Sequence, residues 1–365
     1  MCIGIGGAGS KLAAVLSESA TLVNVSETEL SKVPGTGRRL LATLHAGHGQ
    51  FRGSRKDRQI GLDAYLSVKR ELLELIRGQK IFSSTGGGTG NGICTGILQD
   101  LSKEEYISPE DKTFFALLLP YAKSESSEFV SNTSDFLSGP LADAIDSGNT
   151  GNIVLFSNRV KFQEKLAEEE FNRMLIESLQ VFLAIPDKND EFKLLDGHID
   201  HEDFKLFLSK PYFNHFTYFN YKADEAFEKQ LQRNNNKLLL EPENAIEALF
   251  LLEIPKGGDP TIFYDLLSYF SEIKVSPIYS VVENPAITEP FITVSLLYSR
   301  KPAELVNDFN KIAEQHAQAK VEKSLEQYVS LSRLNVSLVD EAKQAAKKRG
   351  DEDEVLEILK RIGKL

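Results

Sequence analysis

Tryptophan is absent from this chain, and cysteine and methionine occur only twice each. Cys2 and Cys94 form no disulfide framework and show no metal-ligand spacing. That excludes a disulfide-stapled scaffold or a cysteine–zinc module, and a reducing, cytoplasmic setting is expected. No run of about 18 apolar residues exists, so no membrane-spanning helix is expected. No signal peptide is expected either, because the apolar start runs straight into glycines. Basic residues are outnumbered, 42 Lys and Arg against 53 Asp and Glu, for a formal net charge of −11. That balance argues against direct, non-specific binding of DNA by the surface as a whole. Internal repeats and low-complexity tracts are missing too.

What is present is an ordinary globular composition, 41% hydrophobic and 26% charged, over 365 residues. That length suits two domains and an appendage. Residues 1–163 alternate strand and helix, the pattern of a mostly parallel sheet covered on both faces. Strands are expected at Met1–Ile5, Ala20–Val25, Lys80–Ser84, Thr113–Pro120 and Asn152–Ser157. Helices are expected at Lys11–Ser19, Leu62–Arg77, Ile93–Ser102 and Glu128–Ile145. A long helix follows over Glu164–Ile185, with Phe171, Met174, Leu175, Leu179 and Phe182 as its core stripe. Pro186–Gly197 reads as a loop before a short helix, closing a segment at 164–209. Residues 210–300 read as an α+β domain with strands at Phe213–Tyr221, Ala248–Ile254, Lys274–Val282 and Phe291–Tyr298, and a helix at Pro260–Phe270. Residues 301–365 read as a helical tail of mixed charge with a basic knot at Lys347, Lys348 and Arg349.

Two glycine loops carry the chemistry. Gly4-Ile5-Gly6-Gly7-Ala8-Gly9 lies between a strand and a helix, where close backbone approach and the helix dipole suit a phosphate. A dinucleotide fold uses nearly the same pattern, with Glu27 then available as a ribose acid. Thr85-Gly86-Gly87-Gly88-Thr89-Gly90-Asn91-Gly92 is the more specific of the two. It is framed by a strand and a helix as well. Two such loops aim two helix N-termini at one crevice, enough for a triphosphate, and a dinucleotide fold has no use for the second.

Gly86–Gly92 resembles the signature loop of tubulin, and Gly4–Gly9 the first nucleotide loop of FtsZ; the order of the remaining parts agrees over roughly residues 1–300. The resemblance to the tubulin/FtsZ superfamily implies a parallel-sheet GTPase domain, a long central helix, a second α+β domain and a helical tail. It implies GTP and GDP with Mg2+ as ligands, bound by Gly6, Gly7, Ala8, Gly9 and the residues from Gly86 to Gly92 (Gly87, Gly88, Thr89, Gly90 and Asn91 between them). Leu22-Val23-Asn24-Val25 resembles the second strand of FtsZ, with Asn24 leading towards the γ-phosphate, although Ser26 stands where FtsZ usually has Asp. His45-Ala46-Gly47-His48-Gly49 resembles the third loop, putting Ala46 and Gly47 at the γ-phosphate. Basic Arg52, Arg55, Lys56 and Arg58 follow, able to pair with phosphate. Pro120-Tyr121 and Phe156-Ser157-Asn158 resemble the ends of two further strands. They imply Glu125 at the ribose and Asn158 near the base, and Asn172 on the long helix falls where the family reads guanine.

His198-Ile199-Asp200-His201-Glu202-Asp203 resembles the family's synergy loop, with Asp200 and Asp203 in its carboxylate positions and His198 in place of Asn. Without the family, the same residues suggest a metal site or a plain helix cap. In the family this loop enters the nucleotide pocket of the next subunit and polarises the attacking water. The implied partner is therefore the chain itself, head to tail, in a non-closing filament. The helical tail, and the absence of the FtsZ adaptor peptide, resemble the plasmid and phage tubulins. That implies a DNA-positioning role with a DNA-bound adaptor on the tail. The competing expectations are a divergent cell-division or cell-shape protein, a non-polymerising GTP-binding regulatory module, and an NAD-linked oxidoreductase.

Overall fold

A computed structural model describes residues 2–44, 53–240 and 244–299, with scattered positions between 311 and 322. The loop with Ala46 and Gly47, and the tail with Lys347, Lys348 and Arg349, lie outside the described residues. By packing the chain forms two units, Met1–Lys311 and Ile312–Leu365. All elements below belong to the first.

Strands β1 (Cys2–Ile5), β2 (Thr21–Asn24), β3 (Arg39–Leu41), β4 (Lys80–Ser84), β5 (Phe114–Leu119) and β6 (Ile153–Ser157) run parallel in the order β3-β2-β1-β4-β5-β6. Their apolar runs reflect burial on both faces. Ile3, Ile5, Phe115, Leu117 and Leu119 face one core cluster; Cys2, Phe114, Ala116 and Leu118 face the other. The first cluster is closed by α3 (Arg58–Leu75), α4 (Gly88–Leu101) and α5 (Ser127–Phe136). The second is closed by α1 (Gly6–Leu16), α2 (Glu27–Lys32) and the long helix Glu168–Leu183.

The expected helix Glu128–Ile145 is broken. After Phe136 the chain makes a wide π-type turn over Leu137–Leu141 and resumes as α6 (Ala142–Asp146). Pro140, which lacks an N–H, sits inside that turn and interrupts the α ladder. Short α7 (Arg159–Gln163) then leads to α8 (Glu168–Leu183). Phe171, Leu175, Leu179 and Phe182 of α8 are buried as the stripe requires. Phe182 stacks on Phe216 at 4.9 Å and contacts Phe204 at 5.2 Å.

Pro186–Gly197 is no loop. It holds α9 (Ile185–Glu191), with Pro186 in its first turn, and β7 (Lys193–Gly197). Proline fits a first turn because the missing N–H would be unpaired there. Helix α10 (His201–Leu208) follows. Strands β8 (Phe213–Asn220), β9 (Ala245–Ile254), β10 (Pro277–Glu283) and β11 (Phe291–Tyr298) continue the sheet in the order β8-β11-β9-β10-β7. They join it through the pair Ile153 and Phe213. Helices α11 (Phe227–Arg233) and α12 (Phe263–Glu272) cover this half through Phe227, Leu266 and Phe270.

Candidate functional site

The strand order reverses direction between β1 and β4, and the two glycine loops follow those two strands. In an open parallel sheet this switch point is where ligands bind. The helices begin earlier than the pattern predicts, at Gly6 and Gly88, so the glycine loops are themselves the first helical turns. Gly6 has φ +72, and a Cβ there would lie 2.8 Å from the backbone N of Gly90. Only glycine allows both the left-handed backbone and the contact between the loops. Neither helix has a side-chain cap, whereas α2, α3 and α10 are capped by Ser26, Asp57 and Asp200. Two sets of first-turn amides are thus left for an anion, with both helix dipoles behind them.

The cleft at this point has a volume of about 400 Å³. Of the residues expected from sequence, Gly6, Gly7, Ala8, Gly87, Gly88, Thr89, Gly90, Glu125, Asn158 and Asn172 line it. Gly9, Gly86, Asn91, Gly92 and Asn24 do not. Gly9 lets α1 lie on β4, since a Cβ there would meet Phe82 O at 2.1 Å. Gly92 and Gly86 are packed against Arg58 and Phe129 in the same way. Asn91 is fully buried, and its Nδ2 donates to the carbonyls of Thr85 (2.5 Å) and Asn132 (2.8 Å). Asn132 Nδ2 in turn donates to Gly86 O and Lys56 O, both at 2.9 Å. These bonds fix the shape of the second glycine loop.

At one end, Glu125 Oε2 accepts from the backbone N–H of Tyr121 (2.6 Å) and from Asn158 Nδ2 (3.0 Å). Among the described residues the buried Asn158 Oδ1 has no partner, an acceptor left for a hydroxyl or amine of a ligand. Asn172, also buried, projects from the first turns of α8. Residues that the glycine motifs did not reveal also line the cleft: Glu29, Ser54, Lys161 and Glu168, with Arg55 and Lys56 of the basic loop. Arg55 and Lys56 have φ 51 and 67, an uncommon backbone that marks a tightly folded loop. Lys56 Nζ donates to Ser126 Oγ (3.3 Å) and lies 4.9 Å from the Phe129 ring centre. Glu27, at the start of α2, is not among the residues lining the cleft.

His198, Asp200 and Asp203 form a second cluster, with ligand-capable atoms all within 4.8 Å of one another. Asp200 caps α10, its Oδ1 accepting the N–H of Asp203 at 2.7 Å. Helix α10 packs by a groove of about 370 Å³ lined by Lys80, Phe114, His201 and Phe204, at the start of β4 and β5. The cleft lies by Ser84 and Leu118, at the far end of those strands. Helix α8 spans about 24 Å between the two ends at 1.5 Å per residue. Asp200 and Asp203 therefore cannot reach the cleft of the same chain.

No family model matches the chain, and no curated protein matches it. Solved structures do. TubZ from Bacillus thuringiensis serovar israelensis, a GTPγS-form protofilament, superposes with a TM-score of 0.70 at 12% identity, covering 88% of this chain and 93% of that one. CetZ from Methanosaeta thermophila gives 0.62 at 16% identity, over 94% and 98%. FtsZ from M. jannaschii gives 0.59 at 17% identity, over 81% and 87%. The fold is the tubulin/FtsZ fold expected from the two glycine loops, and the first of these neighbours is a TubZ.

Proposed function

We propose that this chain binds GTP in the cleft and hydrolyses it as copies assemble head to tail into a filament. The observation that carries the proposal is the meeting of two uncapped, glycine-started helices at the sheet's switch point. An NAD-linked oxidoreductase gives no reason for the second of them. Glu125 then receives the ribose, with Asn158 and Asn172 reading the base. The residues present fit Mg2+: the Glu29 carboxylate reaches the first glycine loop, 3.2 Å from where a Cβ at Gly7 would be, and would hold the ion beside the phosphates. The separation between the cleft and Asp200 and Asp203 favours hydrolysis completed by a neighbouring subunit, whose carboxylates orient the attacking water. Such a contact is heterologous and does not close.

The finer role we infer is cytoplasmic positioning or segregation of plasmid or phage DNA, with the C-terminal tail holding a DNA-bound adaptor. The likeness to TubZ supports it. The CetZ and FtsZ likenesses favour a second reading, a divergent cell-shape or cell-division filament. GTP hydrolysis per molecule across a range of protein concentrations, with sedimentation of the same samples, tests the proposal. Specific activity rising with concentration, pellets with GTP, and an Asp200→Ala variant that pellets without hydrolysing are the expected results. Wild type that binds GTP yet stays in the supernatant at a flat rate would replace the filament with a regulatory module. Co-sedimentation of a centromere-like DNA–protein complex with the filaments, lost on tail truncation, separates the DNA role from the cell-shape one.

A further inference from the structure

Asn24 ends β2 and is buried, yet none of it lines the cleft. Its Oδ1 accepts the backbone N–H groups of Val25 (2.8 Å) and Ser26 (3.3 Å), which turns the chain out of the strand. Its Nδ2 donates to Glu29 Oε2 at 2.9 Å. Glu29 lies in the first turn of α2, whose N-cap Ser26 accepts the Glu29 N–H at 3.3 Å. Backbone and side chain are therefore both held, and the carboxylate is delivered to the first glycine loop. Its Oε2 lies 3.2 Å from where a Cβ at Gly7 would be, and its Oε1 lies 3.9 Å from the same point at Gly53. Among the described residues no cation pairs with it.

A fixed carboxylate beside amides that await a phosphate is opposed by that phosphate's charge at short range. A divalent cation placed between the two converts the repulsion into a bridge. We propose that Glu29, positioned by Asn24, makes the cleft select nucleotide that carries a divalent cation and reject the metal-free form. The carboxylate missing at Ser26 is thus supplied three residues later. The inference rests on the reading of the cleft as a guanine-nucleotide site.

The test is GTPγS binding to the full chain by calorimetry, in Mg2+ and in EDTA, for wild type, Glu29→Gln and Glu29→Asp. Glu29 is exposed, and glutamine keeps its size and the acceptor for Asn24, so folding is not at stake. Wild type should bind about tenfold or more tightly with Mg2+ than without. Glu29→Gln should gain affinity in EDTA, lose it in Mg2+, and so reduce that ratio to about threefold or less. Glu29→Asp, with its charge drawn back, should fall between. Mn2+ added with GTPγS should give a broadened, immobilised electron-spin signal in wild type that gives way to the sharp signal of free Mn2+ in Glu29→Gln. Equal Mg2+-to-EDTA ratios in wild type and Glu29→Gln overturn the role of Glu29 and leave the nucleotide site standing. Wild type that binds no guanine nucleotide under either condition removes both.

Discussion

The side-chain oxygen of Asn189 accepts the backbone N–H of Ile199 at 3.3 Å, so the residue between His198 and Asp200 is pinned to α9. The Ser280 hydroxyl donates to the same oxygen from β10, and neighbouring Lys188 pairs with buried Glu253 of β9. The carboxylate loop is therefore tied to the second half of the sheet by buried polar contacts. Asn189→Ala removes two hydrogen bonds of about 1 kcal/mol each, lowering the melting temperature by several degrees. With the loop loosened, hydrolysis per sedimented subunit should fall by about tenfold, while GTP affinity stays within about twofold. Hydrolysis at the wild-type rate in a destabilised variant would confine Asn189 to a structural part.

Asp200 has an observed part as the N-cap of α10 and a proposed part in hydrolysis, and substitutions separate the two. As N-cap of α10 it accepts the Asp203 N–H, a contact whose loss to alanine costs about 1 kcal/mol. Asparagine caps as well as aspartate but carries no charge to polarise water. Asp200→Asn should melt within a degree or two of wild type, and Asp200→Ala several degrees lower. Both should lose hydrolysis by about a hundredfold or more. Retained activity in Asp200→Asn would reduce this residue to a helix cap.

The buried strands were legible because apolar runs such as Phe114–Leu119 have few other places to go. Helix starts were not. Glycine costs about 1 kcal/mol in a helix, so a pattern reading starts α1 and α4 after their glycines. Packing of Gly6 on Gly90 and of Gly9 on Phe82 overrides that preference. Edge strand β7 has exposed Lys193 and Leu194 and no alternation, and it exists through its pairing with β10. At the site, the motifs marked both glycine loops but did not separate residues that line the cleft, such as Gly87, from those that shape it, such as Asn91. Glu29 carried no motif at all. Its place depends on which way a buried amide at Asn24 points.

Both cysteines are buried, and burial pushes their thiols up, Cys94 to about 12. The thiolate is the reactive form, so neither should react with a disulfide reagent at pH 8 in the folded protein. Two thiols should appear together on denaturation. Reaction of Cys2 in native buffer would show local opening at β1, where it pairs in register with Lys80 of β4.

Asp100 near the end of α4 joins that helix to α3, accepting from Tyr65 Oη at 2.7 Å and Lys69 Nζ at 2.9 Å. Burial pushes its carboxyl up, but the hydrogen bonds from Lys69 and Tyr65, with the charges of Lys69 and Lys103, bring it to a net value below the ordinary one. A carboxyl depressed in the folded state adds stability above its unfolded value of about 4, and that stability is lost as pH falls through the folded value. The Tyr65 phenol is shifted upwards, first by burial and then by Asp100. Its contribution has the opposite sense, being present below about pH 10 and lost above it. Asp100→Asn should therefore melt below wild type by a constant margin between about pH 5 and 8, and the margin should shrink below about pH 4. Melting temperatures of the two proteins measured in parallel from pH 3 to pH 8 decide the matter. A margin that stays constant or widens towards acid would mean that the charge of Asp100 does not hold α3 to α4, leaving that to close packing such as Tyr65 against Gly96 and Gly61 against Gly92.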